Sequence, residues 1–198
     1  MVNISEVLYD KITSVISGWD DDDIYAVSFF VYSNPSYEYN GIENVSQFSI
    51  SYNTEDACPG AGKYDEERWN YAFWLQDETP VIDIDNSTGL TEMLFQWYKE
   101  NGISDIGYED NENDYDENGA YIGKGPAGHY ELLGLAAEAG RRIQEEGLLK
   151  KKYGKPIPII VHGLEYVWYD IEATKKANPN NESKDFLKAI HLMMDDSE

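Results

Sequence analysis

Fifteen consecutive residues near the middle of the chain, Asp105 to Gly119, hold seven carboxylates, no cation and no aliphatic side chain after Ile106. Such a segment has no apolar surface with which to offset the entropy of ordering it. It is therefore expected as an exposed acidic loop between packed elements, mobile when free. The core must come from the residues on either side.

Those flanks can supply one. Hydrophobic residues make up 41% of the 198 positions, enough for a single globular domain spanning residues 1–198. Ile4, Val7, Leu8, Ile12, Val15 and Ile16 recur at helical spacing, with Asn3 and Glu6 as a capping pair and Gly18 as a stop. Residues 24–32 are a nearly unbroken apolar and aromatic run, the pattern of a strand buried on both faces. In residues 45–52, Phe48, Ile50 and Tyr52 alternate with Gln47, Ser49 and Ser51. That alternation predicts a strand with one wet face, paired antiparallel with the first.

Trp69, Tyr71 and Phe73 alternate with Asn70, Ala72 and Trp74, which predicts a third strand. Helices are expected over residues 89–100, from the Gly-rich turn at 123–128 to Gly147, from Leu164 to Asn178-Pro179, and through Phe186, Leu187, Ile190 and Met194. Leu133, Ala136, Ala137, Gly140 and Ile143 give the second of these a small-residue stripe suited to close packing on a sheet, and Lys150 to Lys152 lie just past its end. Residues 157–161 read as a short strand, with Pro158 placing its start at a sheet edge. The order of elements predicts an α+β fold, a mostly antiparallel sheet packed against several helices.

The net charge of −23 is unevenly placed: residues 1–140 hold 28 acids and five cations, whereas residues 141–198 hold ten of each. A field of that sign disfavours nucleic acid and anionic membrane, and it attracts basic proteins or cations. No apolar run approaches the ~20 residues that span a bilayer. The first 18 residues read as an amphipathic helix and not as a signal peptide. The single cysteine, Cys58, has no internal disulfide partner and points to a reducing compartment. A cytoplasmic protein is expected.

Catalytic chemistry finds little support. Asp114, Asp116, Asn118 and Gly119 match the first, third, fifth and sixth positions of a calcium loop, but Gly125 stands where the closing glutamate is required, so no metal site is assigned. His129, His162 and His191 are far apart in sequence. His162 could meet Glu165 as an acid–base or metal pair; the simpler reading is a strand-end histidine satisfied by a carbonyl. His191 is expected at the edge of the core, and Cys58, without a nearby cation, is expected to be inert. Asp83 and Asp85 would share a strand face, as chance provides in so acidic a chain. Gly123-Lys124-Gly125, followed by Pro126, lacks phosphate-loop spacing. No catalytic residue and no cofactor is assigned.

Aromatic residues interleaved with acids are the remaining signal: Trp19 beside the acidic turn, Tyr37 and Tyr39 around Glu38, and the tyrosines of the acidic segment. Tyrosine supplies anchoring area, while carboxylates complement lysine and arginine and speed association. The candidate partner-binding residues are Asp20, Asp21, Asp22, Asp23, Asp105, Tyr108, Glu109, Asp110, Asp114, Tyr115, Asp116 and Glu117. The competing reading is a solvated acidic surface with aromatics at the core edge.

Three segments resemble those of an uncharacterised bacterial family: Arg68-Trp-Asn-Tyr-Ala-Phe-Trp74, Lys155-Pro-Ile-Pro-Ile-Ile-Val-His162 with Gly163-Leu-Glu-Tyr166, and Thr174-Lys-Lys-Ala-Asn-Pro179. Its members resemble the immunity proteins of polymorphic or contact-dependent toxin systems. The resemblance implies an intracellular α+β protein that binds and neutralises a cognate bacterial toxin domain, and it carries over no catalytic residue. Nuclease toxins are often basic because they hold phosphates, so an acidic inhibitor fits the charge. The alternative is a small-ligand or cation-binding regulatory domain using residues 105–128.

Overall fold

The computed structural model describes residues 3–84 and 89–195. Asp85 lies outside them, and with it the pairing of Asp83 and Asp85. The first helix, α1 (Ile4–Ser17), starts where the Asn3 side chain accepts the Ser5 N–H at 3.0 Å, and it buries Ile4, Leu8, Ile12 and Ile16. Then come β1 (Ile24–Ser33), a hairpin of β2 (Glu38–Tyr39) and β3 (Ile42–Glu43), and β4 (Ser46–Thr54). Asn40 and Gly41 join β2 to β3 with φ of 53° and 80°, the left-handed pair that a tight hairpin turn demands.

The remainder contains α2 (Glu66–Trp69), β5 (Thr79–Ile82), α3 (Gly89–Glu100), α4 (His129–Glu145), α5 (Leu148–Tyr153), β6 (Ile159–His162), α6 (Trp168–Ala177) and α7 (Lys184–Asp195). The main sheet has the order β5-β4-β1-β6. Its β4 runs antiparallel to both β1 and β5, and β6 runs parallel to β1. This is the expected α+β architecture, with one parallel pairing that the sequence did not announce. Among the described residues, no helix is long and apolar enough to cross a membrane.

Both faces of β1 are buried, as its unbroken apolar run requires. Val27, Phe29 and Val31 meet Phe48, Ile50, Ile159 and Val161 beneath α1, α3 and α4. Tyr25, Ala26 and Ile160 meet Trp69, Tyr71, Trp74, Phe186 and Ile190 on the other face. The small stripe of α4 allows close approach: a Cβ on Gly140 would stand 2.9 Å from the Ala177 Cβ of α6.

Several expectations are corrected. Residues 69–74 are not a strand; α2 ends at Trp69 and a single 3-10 turn covers Tyr71–Phe73. Trp69, Tyr71 and Trp74 all point into the second core while Phe73 is exposed, so the apparent alternation was a turn's geometry. The serine face of β4 is not wet either. Ser49 and Ser51 are buried, and Ser49 donates to Glu78, which also accepts from Tyr71. The Ser49 hydroxyl is satisfied by that carboxylate, whereas the Ser51 hydroxyl is buried without a partner. His191 is exposed and not at the core edge. Leu164 precedes α6 and is exposed; Lys150 to Lys152 do lie past the end of α4, within the separate short helix α5.

The outer edge of β6 is closed by side chains of α6 and the residue that ends it. Asn178 Oδ1 accepts the Ile159 N–H at 3.0 Å, and Asn178 Nδ2 donates to the Ile159 carbonyl at 2.7 Å. Thr174 Oγ1 accepts the Val161 N–H and donates to the Val161 carbonyl, each at 2.9 Å. Two side chains thus act as a surrogate strand on an edge that would otherwise carry bare peptide groups.

Candidate functional site: an acidic loop over a tyrosine-lined cleft

The acidic segment is exposed, but it is not a loose tether. Its base is closed by the Gly107 N–H donating to the Ala127 carbonyl at 3.0 Å and the Ala127 N–H to the Tyr108 carbonyl at 2.8 Å. Asn44 Nδ2 donates to the Gly107 carbonyl at 3.1 Å, tying the base to the end of the β2–β3 hairpin. Gly107 has a φ of 84°, and a Cβ there would collide with the Glu43 carbonyl oxygen, so no other residue fits this crossing.

Further out, residues 114–123 fold back on themselves. The Asp116 N–H donates to the Ala120 carbonyl, and the Ile122 and Gly123 N–H groups both donate to the Asp114 carbonyl. Asp116 Oδ1 accepts the N–H groups of Asn118 and Ala120 at 2.8 and 2.9 Å, which holds its carboxyl below the usual aspartate range. Trp168 Nε1 donates to the Gly123 carbonyl at 3.0 Å and fastens this arm to α6. The loop is ordered by its own backbone, a route that composition does not reveal.

The twelve residues singled out from sequence divide into two places. Asp20 to Asp23 precede β1, and the Asp23 carboxylate accepts the Asp56 N–H at that end of the sheet. Residues 105–117 lie at the far end of β1, where Tyr32 and Ser33 share a cleft with Glu109 and Tyr115. Ten residues of strand, roughly 30 Å, separate the ends. The acidic turn and the acidic loop do not form one patch. Within the loop, Asp114 and Asp116 build its shape, and Asp110 accepts from the Asn113 amide. Tyr108 and Tyr115 are 64% and 54% exposed. Ile122 and Leu164, on the loop and on the cleft rim, are also exposed.

Beneath the loop lies a cleft of about 630 Å³, beside the carboxyl ends of the parallel strands β1 and β6 and the start of α6. Such strand ends are where open sheets usually place ligands. Glu109, Glu165 and Asp170 line it together with the rings of Tyr32, Tyr115, Tyr121 and Tyr169. His129 closes one side; it is buried, its Nδ1 is hydrogen-bonded to Ser46 Oγ at 2.9 Å, and burial pushes it down to about 4. Asp170 is the third residue of α6, where its Oδ2 accepts the Val167 N–H. Burial pushes its carboxyl up to about 7.

His162 and Glu165 do not pair. His162 is fully buried; its Nδ1–H donates to the Gly163 carbonyl at 2.8 Å, and its Nε2 therefore accepts from Ser28 Oγ at 2.8 Å. Both ring nitrogens are engaged, and Glu165 is exposed. Among the described residues, no three His, Cys, Asp or Glu side chains are grouped to hold a metal ion. Sequence reasoning missed Asp170, His129, Tyr121 and Tyr169. The one available signal was an aspartate at the third position of a helix, and it was hidden because the helix was expected to begin at Leu164.

No family model, curated protein or solved structure matches the chain.

Proposed function

We propose that this is a binding protein that holds a basic protein partner on the acidic loop, and that it acts in the cytoplasm as an immunity protein neutralising a toxin domain. One observation carries this reading: two exposed tyrosines, Tyr108 and Tyr115, stand among carboxylates on a loop whose base is fixed by backbone hydrogen bonds. Aromatic anchors inside a charged rim are the usual anatomy of a tight interface. A pre-shaped loop loses less entropy on binding than a disordered acidic tail. The net charge of −23 draws in a basic surface and keeps nucleic acid away.

Co-expression with the toxic protein encoded beside its gene tests this. Growth rescue and a co-purifying complex are expected. Tyr108→Ala and Tyr115→Ala should each weaken the complex about thirtyfold, or about 2 kcal/mol. Gly107→Ala keeps every charge but breaks the loop base, and should cost at least as much. Absence of both rescue and complex contradicts the proposal; full binding by Gly107→Ala contradicts the pre-shaped loop.

A further inference from the structure

The cleft under the loop has a chemistry of its own. Asp170 stands in its wall and is 1% exposed; its Oδ2 caps Val167 and the Gly163 N–H also faces the carboxyl, yet Oδ1 has no hydrogen-bond partner. A carboxylate oxygen left bare in so buried a place calls for a donor. The rest of the wall supplies Glu109, Glu165 and tyrosine rings, and among the described residues neither lysine nor arginine lines it. Tyr121 and Tyr169 pack at 6.4 Å between ring centroids, and His129 packs against Tyr169 at 5.6 Å, so the rings form one continuous face.

This surface has nothing for an anion, since the start of α6 is already capped by Asp170 itself. A divalent metal ion finds no grouped ligand set among the described residues. A planar or alkylated cation fits both halves of the wall: its N–H groups meet the carboxylates, and its face meets the rings. We infer that the cleft binds an organic cation, a guanidinium or alkylammonium group, with Asp170 as its counter-ion. This goes beyond the loop's protein partner and does not rest on it. The same group can arrive on a free small molecule or on an arginine or lysine side chain.

Calorimetric titration of the full chain at pH 8 with n-butylguanidinium, and with a blocked Gly-Arg-Gly peptide, tests the inference. Saturable binding of at least one is expected, and neutral n-butylurea should bind at least about tenfold more weakly. Tighter binding of the peptide assigns the cation to a protein side chain; tighter binding of n-butylguanidinium assigns it to a free metabolite. Asp170→Asn should lower affinity about ten- to a hundredfold, the usual worth of an ionised hydrogen-bond partner. The rim variant Glu109→Gln/Glu165→Gln, at two positions that are not buried, should lower it about fivefold. No saturation by either cation up to about 10 mM, equal binding of the urea, or unchanged affinity in a folded Asp170→Asn protein and in the rim variant, each overturns the inference.

Discussion

Asp170→Asn is expected to raise the melting temperature at pH 8 by about 8–16 °C and to leave it little changed at pH 4. Burial raises the folded carboxyl from 3.8 to about 7. Between those values the folded protein binds more protons than the unfolded chain, so this group's contribution to stability falls as the pH rises through the window. Above about pH 7 the folded state holds a buried carboxylate that costs roughly 4 kcal/mol. Asparagine removes that charge and keeps an oxygen to accept the Val167 N–H.

His129 and His162, both held near 4 by burial, act in the opposite sense. Each remains neutral in the folded state while its unfolded counterpart titrates at 6.5, so each loses roughly 3 kcal/mol of stabilisation as the pH falls from 6.5 to 4. They are common to both proteins, so the difference between wild type and variant isolates Asp170. Thermal melts at the two pH values measure it. A lower melting temperature for the variant at pH 8 would show that the carboxylate is stabilised by something other than its cap. A residue that costs stability in the empty protein is what a ligand site leaves behind.

Asn178→Ala should be the most damaging single truncation on the sheet edge, at about 3–5 kcal/mol. Its amide makes four hydrogen bonds: to the Ile159 N–H and carbonyl, to the Thr174 carbonyl at 2.7 Å, and from Gln144 Nε2 at 3.0 Å. Alanine leaves the Ile159 peptide groups buried and bare at the open edge of β6. Thr174→Val removes only the hydroxyl shared with Val161 and should cost less, about 1–3 kcal/mol. Urea unfolding of the two variants checks the order. An Asn178→Ala protein within about 1 kcal/mol of wild type would mean that water or a neighbouring strand covers this edge in solution.

Local periodicity made much of the fold legible. The Ile4-Leu8-Ile12-Ile16 stripe and the continuous run of β1 each encode their burial within a few residues, and α3 falls on the expected residues 89–100 with Leu94 and Tyr98 buried. Residues 69–74 failed because alternating aromatics also arise where a helix end and a 3-10 turn wrap one core. β5 was missed because four residues, one of them Pro80, carry no period. The serines of β4 misled because their burial depends on Glu78 and Tyr71, which are distant in sequence. The cleft was illegible for the same reason: residues around positions 32, 109, 121, 129 and 170 meet only through tertiary packing. Composition announced that residues 105–119 are acidic and exposed. It gave no sign that Gly107 and Asp116 would hold them in one shape.

Hydrogen exchange along the chain, with and without the bound basic partner, tests whether the acidic loop is the surface that holds it. Protection is predicted at residues 105–128 and at the cleft around residues 163–170, with no change at Asp20 to Asp23, about 30 Å away along β1. Protection of the Asp20–Asp23 turn, with residues 105–128 exchanging as in the free protein, would contradict it.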